Sequence, residues 1–277
     1  MKAQYVGDIG DFGKVLLLKH LAGLGFKIGV NWVMTKNDGR ADGKHRDYVD
    51  CRGKDCLCCC DENVFEKILP LAKKEKDDRK IEGLEGLIRG FSESVVFYSK
   101  KYAGGATRRT YENEAFAELS PYLAELVVFD PDNGIDGEEG ASSKHVYVSG
   151  LKRYWKRKQS LLTYHHLGRE GTHKAQIARL KLVIEMAFPD GREYTYQVRR
   201  GTARVYILCV REEHLPKILG KDSIPTIEPL EVTKIDWAKR GKNYAKDHST
   251  KLVPPGMPPV PPLSAVFNPS PFLKGTR

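Results

Sequence analysis

The sequence predicts an α/β protein with a mostly parallel β-sheet, helices on both faces of the sheet, and an antiparallel hairpin at one edge. Two observations support this prediction. Short apolar runs alternate along the chain with amphipathic segments, which is typical of parallel strands linked by helices. Two later apolar runs are joined only by Arg199-Arg200-Gly201-Thr202, a link too short for a helix, so these strands are expected to pair as a hairpin.

The first half of the chain supplies three predicted strands and four predicted helices. In order, these are a helix at 12–24, a strand at 28–34, helices at 62–74 and 80–91, a strand at 95–98, a helix at 112–123 and a strand at 126–129. Asp11 is a candidate N-cap for the first helix, and Gly25 is a candidate stop. The 126–129 run is apolar throughout, as expected when helices cover both faces of a strand.

The second half continues this alternation and then changes composition. Its predicted elements are a helix at 149–157, a strand at 160–164, a helix at 174–188, strands at 194–198 and 204–210, and a helix at 214–219. From Pro254 onward eight prolines crowd the sequence, and such a tail cannot continue a helix or a central strand. We therefore divide the chain into an α/β domain at 1–220 and a C-terminal extension with a proline-rich tail at 221–277.

The composition is that of a globular protein with a positive net charge. The 277 residues include 46 Lys and Arg against 36 Asp and Glu, which leaves a net charge of +10. A basic balance favours polyanions, so nucleic acid is the predicted partner. No run reaches the roughly 18 apolar residues of a membrane helix, and no secretory signal is visible. We therefore expect a cytoplasmic protein without a membrane partner.

Five of the six cysteines lie in one short segment, from Cys51 to Cys60. Thiolate ligation of zinc or an iron–sulfur cluster is one interpretation of such a segment. The adjacent cysteines at 58–60 point in different directions, however, and the second cysteine pair of a zinc ribbon is absent. A reduced loop without metal is the favoured interpretation, and no metal site is predicted.

Three polar clusters follow predicted strands, at 35–43, 130–134 and 165–169. In open parallel sheets, ligands bind in the crevice outside the carboxyl ends of the strands. We therefore expect the three clusters to meet at one edge of the sheet and to form the functional site.

The central cluster is Asp130-Pro131-Asp132-Asn133. The proline fixes a turn directly after the strand, and the flanking Asp130 and Asn133 can accept hydrogens from an amino group. The Asp130 carboxylate could also hold a metal ion together with Asp132. A turn without function is the alternative, since all of these residue types favour turns.

Two further segments could contribute to such a site. One of His165 and His166 could act as a general base, a phosphate contact or a metal ligand, whereas the other faces away because successive residues of a strand alternate. Arg169 could pair with a phosphate or a carboxylate. The glycine-rich turn at 7–14 leads into a helix start, where backbone amides can bind an anion or can simply be capped.

Three short segments, in order, resemble one family of enzymes. The matching residues are Gly7, Asp11 and Lys14; Thr35, Gly39 and Arg40; and Asp130-Pro131-Asp132-Asn133. The first set has the spacing of an N-terminal segment that ends in Asp-x-x-Lys, the second is similar to a threonine-containing loop, and the third is a variant of Asp-Pro-Pro-Tyr. The family is the bacterial methyltransferases that use S-adenosylmethionine to methylate an adenine amine in large-subunit ribosomal RNA. The resemblance spans roughly residues 4–215.

The resemblance implies a Rossmann-like fold of the class I methyltransferase type, with S-adenosylmethionine as cofactor. Asp130 would hold the target amine, and Arg40 would lie at the substrate. The residues implied to lie near the cofactor are Gly7, Asp11, Lys14, Thr35, Asp38 and Gly39. The implied function is methyl transfer to a base amine of nucleic acid, by an active or a degenerate enzyme. The segments at 7–14 and 164–169 also resemble a group of bacterial and phage proteins, which implies no function.

Two alternatives to methyl transfer remain open from the residues alone. One is a metal-dependent nuclease or phosphohydrolase, in which Asp130 and Asp132 bind a divalent ion that activates water, together with Asp8 or Asp11 and with His165 or His166. The other is a non-catalytic module that binds nucleic acid through the basic segment at 152–158. In that alternative Tyr154 and Trp155 stack on bases; otherwise the segment is a solvated helix face with Trp155 in the core.

Overall fold

The computed structural model describes residues 1–37, 46–50, 61–101, 108–120, 124–136, 144–169, 171–200, 202–219 and 268–269. Asp38, Gly39 and Arg40, the cysteine segment at 51–60 and nearly all of the C-terminal extension lie outside the described residues. The predictions made for those residues therefore stay predictions.

Helices and strands alternate along most of the described chain. The helices are α1 (Ile9–Gly23), α2 (Glu62–Ala72), α3 (Ile81–Arg89), α4 (Arg108–Leu119), α5 (Val148–Lys156), α6 (His173–Ala187) and α7 (Leu215–Leu219). The strands are β1 (Ile28–Asn31), β2 (Val95–Tyr98), β3 (Leu126–Phe129), β4 (Gly134–Asp136), β5 (His145–Tyr147), β6 (Ser160–His166), β7 (Gly191–Arg200), β8 (Thr202–Arg211) and β9 (Asn268–Pro269).

The main sheet has the strand order β2-β1-β3-β6-β8-β7-β9. Its first four strands are parallel, and β8 runs antiparallel to both β6 and β7. The two-residue β9 adds to β7 at the edge, and β4 and β5 form a separate small parallel pair. The predicted α/β, Rossmann-like fold with an antiparallel edge hairpin is confirmed.

Helices cover both faces of the sheet, so two apolar clusters form. One packs α1, α2 and α3 against a face that includes Val30 and Val128, and the other packs α4, α5 and α6 against a face that includes Val127 and Phe129. The split follows from the alternation of side chains along each strand. It also explains why β3 is apolar at every position.

The start of α1 differs from the sequence prediction. The helix begins at Ile9, and its N-cap is Asp8, whose carboxylate accepts hydrogen bonds from the backbone N–H groups of Gly10 and Asp11. Asp11 is a first-turn residue, so its prediction as the N-cap was wrong. Both aspartates suit a helix start, and the preceding turn determines which of them lies next to the first free N–H groups of the helix.

None of the helices in the described ranges combines the length and the apolar character that a membrane span requires.

Two glycines of α1 provide a matched test of how this helix meets β8. A Cβ atom on Gly10 would lie 1.6 Å from Nη1 of the buried Arg204, whereas a Cβ on Gly13 would meet nothing within 4 Å. We expect Gly13→Ala to raise the free energy of unfolding by about 0.5–1 kcal/mol, because alanine is the better helix former. Gly10→Ala should lower it by about 1–2 kcal/mol, because the buried guanidinium must move. Urea denaturation of both variants measures this; an equal gain in the two would show that Arg204 does not pack there.

Candidate functional site

The candidate site lies at the carboxyl ends of β1 and β3. From β1 the chain continues to β2 on one side, whereas β3 pairs with β1 on the other, so the strand order reverses between β1 and β3. Such a reversal opens the crevice in which Rossmann-like proteins bind ligands. The two strand ends are joined by a hydrogen bond of 3.0 Å from Asp130 N–H to the carbonyl of Asn31.

Lys14 and two carboxylates form a buried charged triad beside this crevice. Lys14 Nζ lies 2.6 Å from Asp130 Oδ2 and 2.9 Å from Asp11 Oδ1. All three side chains are buried, with exposures of 7% for Lys14, 1% for Asp11 and 3% for Asp130. Burial opposes the charge of Lys14, but the two carboxylates hold its pKa well above the ordinary value. Burial raises the pKa of Asp11 to about 6, and Lys14 opposes that rise.

The second acid of the cluster, Asp132, is paired with different groups. Thr35 Oγ1 donates to Asp132 Oδ2 at 2.7 Å, and the α-ammonium group of Met1 lies 3.2 Å from Oδ1. Lys2 Nζ is 3.8 Å from Oδ2. Burial favours the protonated acid, but the Met1 ammonium and the Thr35 hydroxyl hold the pKa of Asp132 below its usual value. Asp132 is therefore ionised at neutral pH.

The α-amino group of Met1 occupies the crevice itself. Burial lowers the pKa of this group, although the charges of Asp132 and Asp130 oppose that shift. The amino group donates to the carbonyl oxygens of Val33 and Asp130, each at 3.0 Å, in addition to its contact with Asp132. The backbone continues this contact, because Thr35 N–H donates to the carbonyl of Met1 at 2.8 Å. Sequence reasoning missed Met1 and Lys2, because neither residue belongs to a motif that indicates a site.

The glycine-rich turn before α1 is fully engaged by the protein. Gly7 N–H donates to Asp11 Oδ2 at 3.0 Å, and the Tyr48 hydroxyl donates to the Gly7 carbonyl at 2.8 Å. The Asp8 carboxylate takes the N–H groups that an anion would need. Capping, the alternative stated for this turn, is what the structure shows. Gly7 and Asp11 support the site by positioning Lys14.

The third polar cluster does not join the charged triad. His165 Nδ1 accepts from Ile135 N–H at 3.0 Å, which ties β6 to the small sheet. Burial lowers the pKa of His165 to about 4, with smaller contributions from His145 and His166. Burial also lowers the pKa of His166, which lies near Arg204. Arg169 is exposed and makes no hydrogen bond or ion pair with residues in the described ranges.

The burial of His165 predicts an acid-sensitive fold. Its pKa falls from 6.5 to about 4, so the unfolded chain takes up a proton between these pH values while the folded protein does not. The free energy of unfolding therefore keeps its full value above pH 6.5. It decreases as the pH falls toward 4, by up to about 3 kcal/mol from this group. Urea denaturation between pH 7.5 and about 4.5 should show His165→Asn losing less stability on acidification than the wild type. Equal losses in the two proteins would contradict this assignment.

The basic segment at 152–158 divides between core and surface. Tyr154 and Trp155 are 4% and 7% exposed, and Trp155 Nε1 donates to Asp190 Oδ1 at 2.9 Å. Their rings therefore belong to the core, and stacking of these two residues on bases is excluded in this structure. The exposed members are Lys152, Lys156, Arg157 and Lys158.

Comparison with known proteins yields no match among family models, curated proteins or solved structures. The site must therefore be judged by its own chemistry. Its residues supply a carboxylate and carbonyls that hold an amino group, whereas Lys14 is already paired with Asp11 and Asp130. This chemistry suits a ligand with an amino group.

Proposed function

We propose that this protein is a methyltransferase-like protein that binds S-adenosylmethionine and acts on a base amino group of nucleic acid. The observation that carries the proposal is the position of the Met1 α-amino group, which Asp132 and the carbonyls of Val33 and Asp130 hold in the β1–β3 crevice. An amino-acid ammonium bound at the strand reversal of a Rossmann-like sheet is what the methionine part of this cofactor would require.

The strand order supports the same proposal. The chain makes β7 before β8, yet β8 is inserted between β6 and β7 and runs antiparallel to both. This insertion matches the antiparallel edge of the class I methyltransferase fold that the sequence resembles. A fold alone does not determine a function, so the crevice chemistry carries more weight.

The residues of the crevice fit S-adenosylmethionine in charge. Asp132 and the two carbonyls would hold its ammonium in place of the Met1 amino group. Met1 lies in this position in the structure, so it would have to move aside for the cofactor. When bound, the cofactor supplies an electrophilic methyl group.

The chain's own residues would orient the nucleophile. The Asp130 carboxylate would accept a hydrogen of the target amine, which directs the nitrogen lone pair. Lys14, 2.6 Å away, stabilises this carboxylate in its buried position. Positioning of this kind needs no covalent enzyme intermediate and can supply much of a rate enhancement. Asn133 stands where the related motif has a tyrosine, so a target base would lack an aromatic platform from this position.

The metal-dependent alternative receives less support. Asp130 is paired with the Lys14 ammonium, and Asp132 is paired with the Met1 amino group. These contacts compete with a divalent ion for the same carboxylate oxygens. Across the described ranges, no three His, Cys, Asp or Glu side chains are grouped so that they could hold a metal ion. We propose no metal role for these residues.

Calorimetric titration with S-adenosylmethionine tests the proposal. We expect the wild type to bind, and Asp132→Asn to bind about 10-fold or more weakly, because a charge-assisted hydrogen bond to the ammonium is lost. The control is Asp61→Asn, which removes the same charge from a pair with Lys19 at the surface and should leave the affinity unchanged. Absence of binding to the folded wild type at millimolar ligand would overturn the proposal.

A further inference from the structure

A second cleft lies on the other face of the same sheet edge, between β1, β3, α4 and α5. It has a volume of about 20 Å³, is partly open to solvent, and is lined by aromatic side chains below and charged side chains at the rim. Val33 connects it to the charged crevice, because the Val33 side chain lines the cleft while its carbonyl accepts from Met1. Neither the motif residues nor the proposed cofactor site accounts for this cleft.

Tyr154, which lines the cleft, carries a buried hydroxyl without a partner among the described residues. The Tyr154 side chain is 4% exposed, and its hydroxyl makes no hydrogen bond within the described part of the chain. Its ring is fixed by edge contacts with Phe116 and Phe129, at centroid distances of 5.0 and 5.1 Å. Leaving a buried hydroxyl unpaired has a free-energy cost, which a ligand in the cleft would remove. Tyr111, which also lines the cleft, differs because its hydroxyl donates to Asn31 Oδ1 at 2.8 Å.

The rim of the cleft carries a surplus positive charge. Its charged residues are Arg108, Arg153 and Glu112, which sum to +1. Arg108 Nε is paired with Glu112 Oε1 at 2.6 Å. Arg153 lies over the Phe116 ring at 4.6 Å, and it has no carboxylate partner among the described residues. Arg153, which no described carboxylate neutralises, and Tyr154, whose hydroxyl no described residue satisfies, thus line the same cleft.

We infer that this cleft binds a phosphate group of a nucleic acid strand. The volume admits an oxygen-sized group but not a nucleobase, so the remaining phosphate oxygens would face the rim, where a guanidinium suits them. The exposed Lys152 and Lys156 of the same helix would meet neighbouring phosphates. That the phosphate belongs to a nucleic acid strand rests on the proposed function. That the cleft binds a phosphate group does not depend on the proposed function.

Fluorescence anisotropy with a labelled single-stranded RNA oligonucleotide tests the inference on the full chain. We expect Tyr154→Phe, which removes only the hydroxyl, and Arg153→Gln to weaken binding by about 10-fold each, because each loses a hydrogen bond to an anion. The control is Arg157→Gln, whose guanidinium lies over the same Phe116 ring at 5.8 Å but does not line the cleft. Its affinity should change by less than about threefold.

Thermal unfolding of the free protein supplies an independent readout. Tyr154→Phe should keep or raise the unfolding midpoint, because it removes an unpaired buried group, whereas Tyr111→Phe should lower it. Wild-type RNA affinity in Tyr154→Phe, or a loss of midpoint equal to that of Tyr111→Phe, would overturn the inference.

Two titrations separate the source of the phosphate and the dependence on methyl transfer. If inorganic phosphate or adenosine 5′-monophosphate binds in a Tyr154-dependent way while RNA does not, the inference that the phosphate belongs to a nucleic acid strand is overturned. If S-adenosylmethionine fails to bind but RNA binding still depends on Tyr154 and Arg153, the proposed cofactor fails and the cleft inference is supported.

Discussion

Lys14→Met is expected to lower the free energy of unfolding by about 3–5 kcal/mol, the loss seen when one partner of a buried ion pair is removed. The Lys14 ammonium lies within 2.9 Å of Asp11 and 2.6 Å of Asp130, and all three side chains are buried. Methionine keeps the volume of the lysine stem but leaves two carboxylates without a compensating charge. Chemical denaturation at neutral pH measures the effect.

The matched control for this prediction is Lys19→Met in the same helix. Lys19 Nζ lies 2.6 Å from Asp61 Oδ2, as close as the buried pair, but its side chain is 34% exposed. Water screens that pair, so its loss should cost about 1 kcal/mol or less. The double variant Lys14→Met with Asp130→Asn should recover part of the loss, since one uncompensated charge is removed. Equal effects of the two lysine variants would contradict a buried triad.

Gly7→Ala is expected to lower the free energy of unfolding by about 3–5 kcal/mol, as the sum of backbone strain and a steric clash. Gly7 has φ of +84°, in the left-handed region that side chains disfavour. A Cβ atom there would lie 2.7 Å from both Cα and N of Ala72, at the end of α2. Backbone atoms cannot turn aside as a flexible side chain can, so α2 would have to shift away from α1.

Gly25→Ala isolates the clash from the strain. Gly25 also has φ of +84°, but a Cβ atom there would meet nothing within 4 Å. Only the strain remains, and the expected loss is about 1–2 kcal/mol. Urea denaturation of both variants gives the difference directly. If the two alanines cost the same, the close approach of α2 to Gly7 is not present in solution.

The candidate site was partly predictable from the sequence. The position of Asp130, Asp132 and Thr35 after apolar strands predicted that they would meet at one sheet edge, and the structure brings them to the β1 and β3 ends. Their partners were not predictable in this way. Asp132 pairs with Met1, which lies more than a hundred residues earlier in the chain. This pairing depends on how the first residues cross the sheet edge.

The histidines illustrate the limit of strand-end position as an indicator. His165 and His166 were predicted to follow a strand as Asp130 does, but they are the last two residues of β6, where His165 is bound to Ile135 of the small sheet and kept neutral by burial. Strand-end position predicts the edge of the sheet on which a side chain lies. It does not predict whether another backbone segment will already satisfy that side chain.

Local sequence patterns were enough to predict the α/β class, the hairpin at the edge and the sheet edge on which Asp130, Asp132 and Thr35 lie. These follow from periodicity and turn residues, which act over a few positions. Three features depend instead on the tertiary structure: Asp8 rather than Asp11 caps α1, Lys14 neutralises two buried acids, and the buried Tyr154 hydroxyl makes no hydrogen bond with the described residues. Burial and pairing across distant segments set these outcomes, because each depends on packing that no local pattern encodes.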